Sequence, residues 1–292
     1  MIRIALIGAG AFGKNYIKVL REVPNVRLHA VCVRGDITAG PYLVLHDWRS
    51  AISWPLVDAV IVATPASTHY EIAKACIEAR KPALIEKPLA MSVREVNVLC
   101  ADALEQNVLV HVGYTDLHNQ AFEHLSEFNI GLERVEGRVT GVGPIRKDCS
   151  PLWDYGPHAL AMTLRLFDEY PARIEAERVN VIDEAKQFNA SVRLYFSQRR
   201  TADLLFGNAS TRTRQLKMFT SLHEMCYDGI EGSVTVNVHK MMPETQSALH
   251  RQVNAFVSDV AAKKFDVTTL RLSVWVTSVL AECERQLAEK RV

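Results

Sequence analysis

The chain has 292 residues, 48% of them hydrophobic and 23% charged, with a formal net charge of +1. That is ordinary globular material, long enough for two domains. With both signs of charge scattered along it, there is no basic stripe for nucleic acid and no polybasic segment for an anionic membrane surface, so a small molecule is the expected partner.

Residues 2–7 read as a strand that runs into Gly8-Ala9-Gly10-Ala11-Phe12-Gly13 and then the helical spacing of Tyr16, Val19 and Leu20. In G-x-G-x-x-G the first glycine permits the tight turn, the second lets a pyrophosphate approach the backbone, and the third lets helix and strand pack closely. Phosphate oxygens would meet the unpaired N–H groups at the helix start. A second strand is expected over 26–33. Beyond it, where an acid would hold a ribose 2′-hydroxyl, stands Arg34, followed by Gly35 and Asp36. An arginine there suits a 2′-phosphate and favours NADP over NAD, although Asp36 remains within reach of a ribose.

A short helix is expected over 45–52, then an apolar strand over 57–62 ending at Ala63-Thr64-Pro65. The next helix, from about residue 67, carries Ile72, Ala73, Cys76 and Ile77 on one face. The run Ala83-Leu84-Ile85 stops on Glu86-Lys87-Pro88, a buried strand ending in charge, and Lys87 leaves it at the carboxyl end, where open parallel sheets gather ligands. Another helix with Val93, Val96, Leu99, Cys100 and Leu104 inward and a strand over 108–112 complete a strand-helix alternation typical of a doubly wound parallel sheet.

Near Gly113 the pattern changes. After a helix over about 117–128, apolar/polar alternation at 132–142, 174–181, 191–196, 202–206, 215–219 and 233–238 predicts antiparallel strands with one dry face. A helix is expected from Pro157 onward, and two more near 245–262 and 268–287. The expected architecture is α/β: an N-terminal Rossmann domain over 1–114 and a C-terminal α+β domain over 115–292, with a large, mainly antiparallel sheet. Too few helices remain to cover both faces of that sheet. An uncovered apolar face predicts a homodimer or homotetramer joined through it.

No apolar run approaches the roughly 20 residues of a membrane span, and Met1 leads directly into a strand, leaving no room for a signal peptide. The six cysteines lack any Cys-x-x-Cys pair, and no histidine has the ligand spacing of a zinc site. Reduced thiols, a cytoplasmic protein and no metal are expected. Asp154 and His158 lie four residues apart, one turn on a shared helix face, so a carboxylate is available to orient and stabilise an imidazolium. Pro157 is harmless if Asp154 is the N-cap and the proline falls in the first turn.

Taken together, the chain resembles the Gfo/Idh/MocA family of NAD(P)-dependent oxidoreductases, the glucose-fructose oxidoreductase and inositol dehydrogenase group. The shared features are Gly8, Gly10 and Gly13, the Ala63-Thr64-Pro65 strand end with His69 after it, Glu86-Lys87-Pro88, and Asp154-x-x-x-His158. The resemblance implies that Lys87, Asp154 and His158 converge at the nicotinamide. Lys87 would polarise the reacting hydroxyl or carbonyl, His158 transfer the proton, and Asp154 support it. It also implies cofactor contacts from Gly8, Gly10, Ala11, Phe12, Gly13, Arg34, Thr64, Pro65, His69, Glu86 and Lys87, and substrates that are mostly sugars, sugar derivatives and cyclic polyols. Tyr114, His118, Arg146 and Trp153 are candidates for lining the substrate pocket. Some members act on other ring substrates and a few are catalytically silent cofactor-bound regulators; the presence of Lys87, Asp154 and His158 argues against silence here.

Overall fold

The computed structural model describes residues 1–38, 40–143, 146, 148–183, 187–242 and 246–289. Six strands, β1 (Ile2–Ile7), β2 (Val26–Cys32), β3 (Leu43–Leu45), β4 (Ala59–Val62), β5 (Ala83–Glu86) and β6 (Val110–Gly113), form one sheet in the order β3-β2-β1-β4-β5-β6. Every neighbouring pair in it is parallel. All four residues of β4 and of β5 are buried, as expected when both faces of a sheet are covered; β4 is apolar throughout and β5 is apolar up to its last residue, Glu86. The strand order reverses between β1 and β4, which makes the carboxyl ends of those strands the place where a ligand gathers.

Between the strands lie α1 (Gly13–Val19), α2 (Trp48–Ser53), α3 (His69–Glu78) and α4 (Val93–Gln106). Asp47 caps α2 by accepting from the Arg49 amide at 3.1 Å, and Ser92 caps α4 by accepting from Glu95 at 3.2 Å. The short strand β3 occupies part of the stretch expected to be helical from residue 45; helix begins only after the Asp47 cap. In α4 the inward stripe is Val96, Leu99, Cys100 and Ala103, whereas Leu104, expected inward, is 53% exposed. Ala103 takes that place because it lies seven positions after Val96, back on the same face.

The sheet's compact unit comprises residues 1–113 together with 249–274, and a second unit comprises 114–248 with 275–292. A single boundary after residue 114 therefore does not describe the chain. Most of α7 (Ala248–Ala262) belongs to the first unit, where Val253, Phe256 and Val257 join Ile4, Leu6, Leu28 and Val31 in one core. The last helix, α8 (Thr268–Glu289), begins in the first unit and ends in the second.

The second unit is built on eight strands: β7 (Leu132–Gly141), β8 (Arg173–Asp183), β9 (Gln187–Tyr195), β10 (Thr201–Asn208), β11 (Thr213–Thr220), β12 (Glu224–Asp228), β13 (Ser233–Val236) and β14 (His239–Met241), ordered β14-β13-β12-β11-β7-β10-β9-β8. Only β7 and β10 pair parallel; the other neighbours are antiparallel. Strands β12 and β14 were not expected from the pattern. The helix expected over 117–128 is a 3-10 turn, Thr115–His118, followed by α5 (Gln120–Ser126) with Asn119 as its cap. The start of the helix expected from 245 lies outside the described residues.

One face of this sheet is packed by α5 and α6 (Pro151–Phe167), and its buried row includes Val135, Val139, Leu204, Phe206, Leu216 and Met218. Gly137 sits in that row because a Cβ there would stand 2.7 Å from a Leu204 methyl. The opposite face corrects the expectation of an uncovered apolar surface. It carries Arg134 paired with Glu136 and Arg193 paired with Asp203. A shallow depression of about 430 Å³ there is lined by Glu136, Arg138, Ser191, Asp203, Gln215 and Lys217 among others, none of them a motif residue. Among the described residues, no helix is long and apolar enough to cross a membrane.

Candidate active site

The glycines of the first turn divide by what a side chain would meet. Gly8 has φ +95°, and a Cβ on it would lie 2.6 Å from the Ala63 carbonyl oxygen; a Cβ on Gly13 would lie 2.1 Å from the carbonyl oxygen of Gly8. Both are fixed by backbone packing. A Cβ on Gly10 would meet nothing within 4 Å, so that glycine faces open space in which a pyrophosphate fits. This is the division of labour a dinucleotide turn requires, and the residues present suit the cofactor. Phe12 stands beside the turn with its ring edge-on to Tyr16, centroids 5.7 Å apart. Arg34 and Asp36 are exposed in the turn after β2.

At the tips of β4 and β5 the chain is held by buried polar groups. His69 is buried with Nδ1 2.7 Å from the Pro88 carbonyl oxygen and Nε2 3.0 Å from that of Thr64. A neutral imidazole donates to one of these carbonyls and an imidazolium to both, so His69 ties the two strand tips together. Glu86 is 7% exposed; its Oε1 accepts from Tyr16 Oη at 2.6 Å and its Oε2 from the backbone N–H of Lys87 at 3.2 Å. Tyr16 Oη in turn accepts from Gln252 Nε2 at 3.0 Å. Burial and then the Glu86 charge push the Tyr16 phenol well above its ordinary value, keeping it protonated as the donor. Gly113, opposite Glu86 on β6, leaves room for this carboxylate, since a Cβ would stand 3.0 Å from Glu86 Cδ. Lys87 is half-buried, and its peptide bond to Pro88 is cis.

In the second unit α6 carries Asp154 and His158. The helix starts at Pro151 with Ser150 as N-cap, so Asp154 is not the cap and Pro157 lies inside the helix, where it has no N–H for the Trp153 carbonyl. His158 Nδ1 lies 2.8 Å from Oδ2 of Asp116, and this carboxylate escaped the sequence reading. Asp116 is buried, and its Oδ1 accepts from Arg214 at 3.2 Å and from the Tyr227 hydroxyl at 3.3 Å. Burial alone would raise its pKa, but the Arg214 charge and the bonds from His158 and Tyr227 outweigh it and hold the carboxyl at about 2. An ionised Asp116 only accepts, so His158 donates Nδ1–H and its neutral ring carries the lone pair on Nε2.

Asp154 faces Arg146 at 3.4 Å, and Arg146 makes two bonds to Asp148, 3.0 and 2.6 Å. Trp153, a pocket candidate, is instead buried with its indole N–H donating to Glu284 at 3.1 Å. Tyr114 is also buried, and His118 partly so. Lys87 belongs to the first unit and Asp116, Asp154, His158 and Arg214 to the second.

Residues 2–114 match the profile of the oxidoreductase family with an NAD-binding Rossmann fold, Gfo/Idh/MocA. Residues 2–114 are thus a Gfo/Idh/MocA NAD-binding Rossmann domain. The whole chain is similar to a crystal structure from Magnetospirillum magnetotacticum described only as an oxidoreductase, with TM-score 0.89 and 29% identity over 97% of this chain and 99% of that one. It is 32% identical over 131 residues to the 4-carboxy-2-hydroxymuconate-6-semialdehyde dehydrogenase of a Sphingobium species, covering 42% of each chain. With the inositol 2-dehydrogenase of Mycolicibacterium smegmatis it shares 34% identity over 193 residues, 61% of this chain and 56% of that one. The match to these two curated relatives thus spans about half of their length. The profile match includes the glycine turn and Glu86-Lys87-Pro88 but stops before Asp116, Asp154 and His158, so the second unit's polar cluster rests on the geometry above.

Proposed function

We propose that the chain is an NAD(P)-dependent dehydrogenase or reductase acting on a secondary alcohol or ketone carbon of a sugar, sugar derivative or cyclic polyol. The observation that carries this reading is His158, held by a buried ionised carboxylate 2.8 Å away; that arrangement suits a histidine that takes up a proton. The inositol dehydrogenase among its relatives supports the substrate class.

Bound NAD(P) supplies the acceptor or donor of hydride. Gly8, Gly10, Ala11, Phe12 and Gly13 would hold its pyrophosphate, Thr64, Pro65, His69 and Glu86 the strand tips beside it, and Arg34 the 2′-phosphate of the favoured NADP. The carbon loses hydride only if its hydroxyl proton also leaves. His158 takes that proton on Nε2, and Asp116 steadies the imidazolium that results. Asp154, one helical turn before His158, adds negative charge on the same side of α6. Lys87 supplies the positive charge that stabilises the developing alkoxide.

A panel of sugars, sugar nucleotides, inositols and dihydrodiols, assayed with both cofactors at the nicotinamide absorbance band, tests the reading. Lys87→Met and His158→Asn should keep cofactor binding and lower turnover by about two orders of magnitude or more. Tight cofactor binding with no reaction across the panel would replace it with the silent cofactor-binding reading. We also propose that the chain forms a homodimer or homotetramer through the charged open face of the second sheet. A monomeric mass by light scattering at micromolar concentration would refute that.

A further inference from the structure

His111 on β6, Asp259 on α7 and Asp266 just after α7 have no part in the chemistry above, yet their potential ligand atoms all lie within 4.8 Å of one another. All three residues belong to the first unit. His111 is 5% exposed, and its ring is fixed against Phe256, centroids 5.5 Å apart. Its Nε2 is buried and makes no well-aligned hydrogen bond, although Oδ2 of Asp259 stands only 3.1 Å away. The two atoms are close enough to bond but misaligned for it. A buried ring nitrogen left in that position is costly unless something else engages it.

A divalent cation does so. Two ligands held at about 2.0 to 2.2 Å from one metal ion stand roughly 3.0 to 3.4 Å from each other, depending on whether the geometry is octahedral or tetrahedral. The Nε2–Oδ2 separation falls in that range. Burial lowers the His111 pKa, which favours the neutral ring that a metal needs. Asp266 is oriented by accepting from the Thr268 amide at 2.8 Å through Oδ1, with a further hydrogen bond from the Thr268 side chain. The cation that Asp259 already faces is Lys264 at 3.5 Å, a side chain 59% exposed and a weak competitor. One imidazole and two carboxylates neutralise a 2+ ion, and the nitrogen favours a first-row transition metal over magnesium or calcium.

We propose that His111, Asp259 and Asp266 form a binding site for a divalent transition-metal ion such as Zn²⁺, which ties α7 and the loop after it to the edge strand β6. The sequence reading expected no metal because these ligands show no short spacing; only the return of α7 to the first unit brings them together.

Full-length protein stripped with a chelator should take up about one equivalent of Zn²⁺ per chain by calorimetric titration and melt at a higher temperature with Zn²⁺ present. His111→Gln and Asp266→Asn should each weaken uptake at least about tenfold and abolish the shift in melting temperature. Asp266→Asn keeps an oxygen for the Thr268 amide, so it removes the ligand while preserving the cap, and it decides the matter should His111→Gln fail to fold. Absence of uptake, or uptake unaffected by Asp266→Asn and therefore belonging to an adventitious surface site, would overturn the proposal.

Discussion

Asp116 and His158, 42 positions apart in the chain, are joined by a 2.8 Å contact between Oδ2 and Nδ1. The carboxylate fixes which ring nitrogen carries the proton. Asp116→Asn keeps the shape but loses the charge that steadies an imidazolium, so turnover should fall by about 10²- to 10⁴-fold. The dissociation constant for NAD(P) should stay unchanged, because Asp116 belongs to the second unit. Steady-state kinetics beside a fluorescence titration of the cofactor checks both halves, and an Asp116→Asn enzyme of parental rate would remove His158 from the proposed chemistry.

The same carboxylate makes an acid-stability prediction. Its pKa is about 2 in the folded chain, against about 3.9 unfolded. A depressed carboxyl stabilises the fold above its unfolded value, and that contribution is lost as pH falls through the folded one. Roughly 2 kcal/mol should therefore disappear between about pH 4 and pH 2. Asp58, also held at about 2 by Arg3, loses stability in the same window, so the parent alone is ambiguous. Urea midpoints for parent and Asp116→Asn should converge as pH drops; a gap that stays constant would contradict the assigned cause.

Much of this was legible in the chain. The parallel sheet showed itself because β4, and β5 as far as Ile85, are buried on both faces and so read as apolar runs. Asp116 did not, since it sits in a 3-10 turn with no motif around it and gains meaning only when β11 and β12 bring up Arg214 and Tyr227. Asp154 drew attention by its spacing from His158 and by the family feature the two residues form. The return of α7 to the first unit was equally hidden, because an amphipathic helix announces that it has an apolar face and says nothing about which core receives it.

Gly10 and Gly13 should respond oppositely to alanine. A methyl on Gly13 would be forced to 2.1 Å from the Gly8 carbonyl oxygen, whereas one on Gly10 meets nothing within 4 Å. Gly13→Ala should cost about 3 kcal/mol or more of stability, by overpacking against backbone. Gly10→Ala should melt like the parent, yet bind NAD(P) about tenfold or more weakly, because its methyl fills space proposed for the pyrophosphate. Thermal melts and cofactor titrations separate the two effects.

Arg34 is exposed in the turn after β2 and has no acid in the position that would repel a 2′-phosphate. Binding of NADP(H) should exceed that of NAD(H), and Arg34→Ala should shrink the ratio by roughly tenfold, the usual scale for a charge-assisted contact. A ratio untouched by Arg34→Ala would leave Asp36 as the residue that meets the ribose.

Tyr16→Phe offers a test of how Lys87 is placed. The ring is fully buried and its packing survives the change, but Glu86 Oε1 loses a 2.6 Å donor and Gln252 Nε2 loses a 3.0 Å acceptor. Gln252 Oε1 already makes no hydrogen bond, so the variant strands further buried polar atoms, at about 1 to 3 kcal/mol. Glu86 also accepts from the Lys87 amide, at 3.2 Å, and a carboxylate released on one side is less well fixed on the other. Turnover should therefore drop several-fold with little change in KM, as expected when a group that acts in the transition state is displaced slightly. Gln252→Met supplies the comparison: it strands no donor on Glu86 and should leave turnover near the parental value. If both variants slow the reaction alike, the loss belongs to general loosening of the first unit, and the Tyr16–Glu86 bond has no particular role in positioning Lys87.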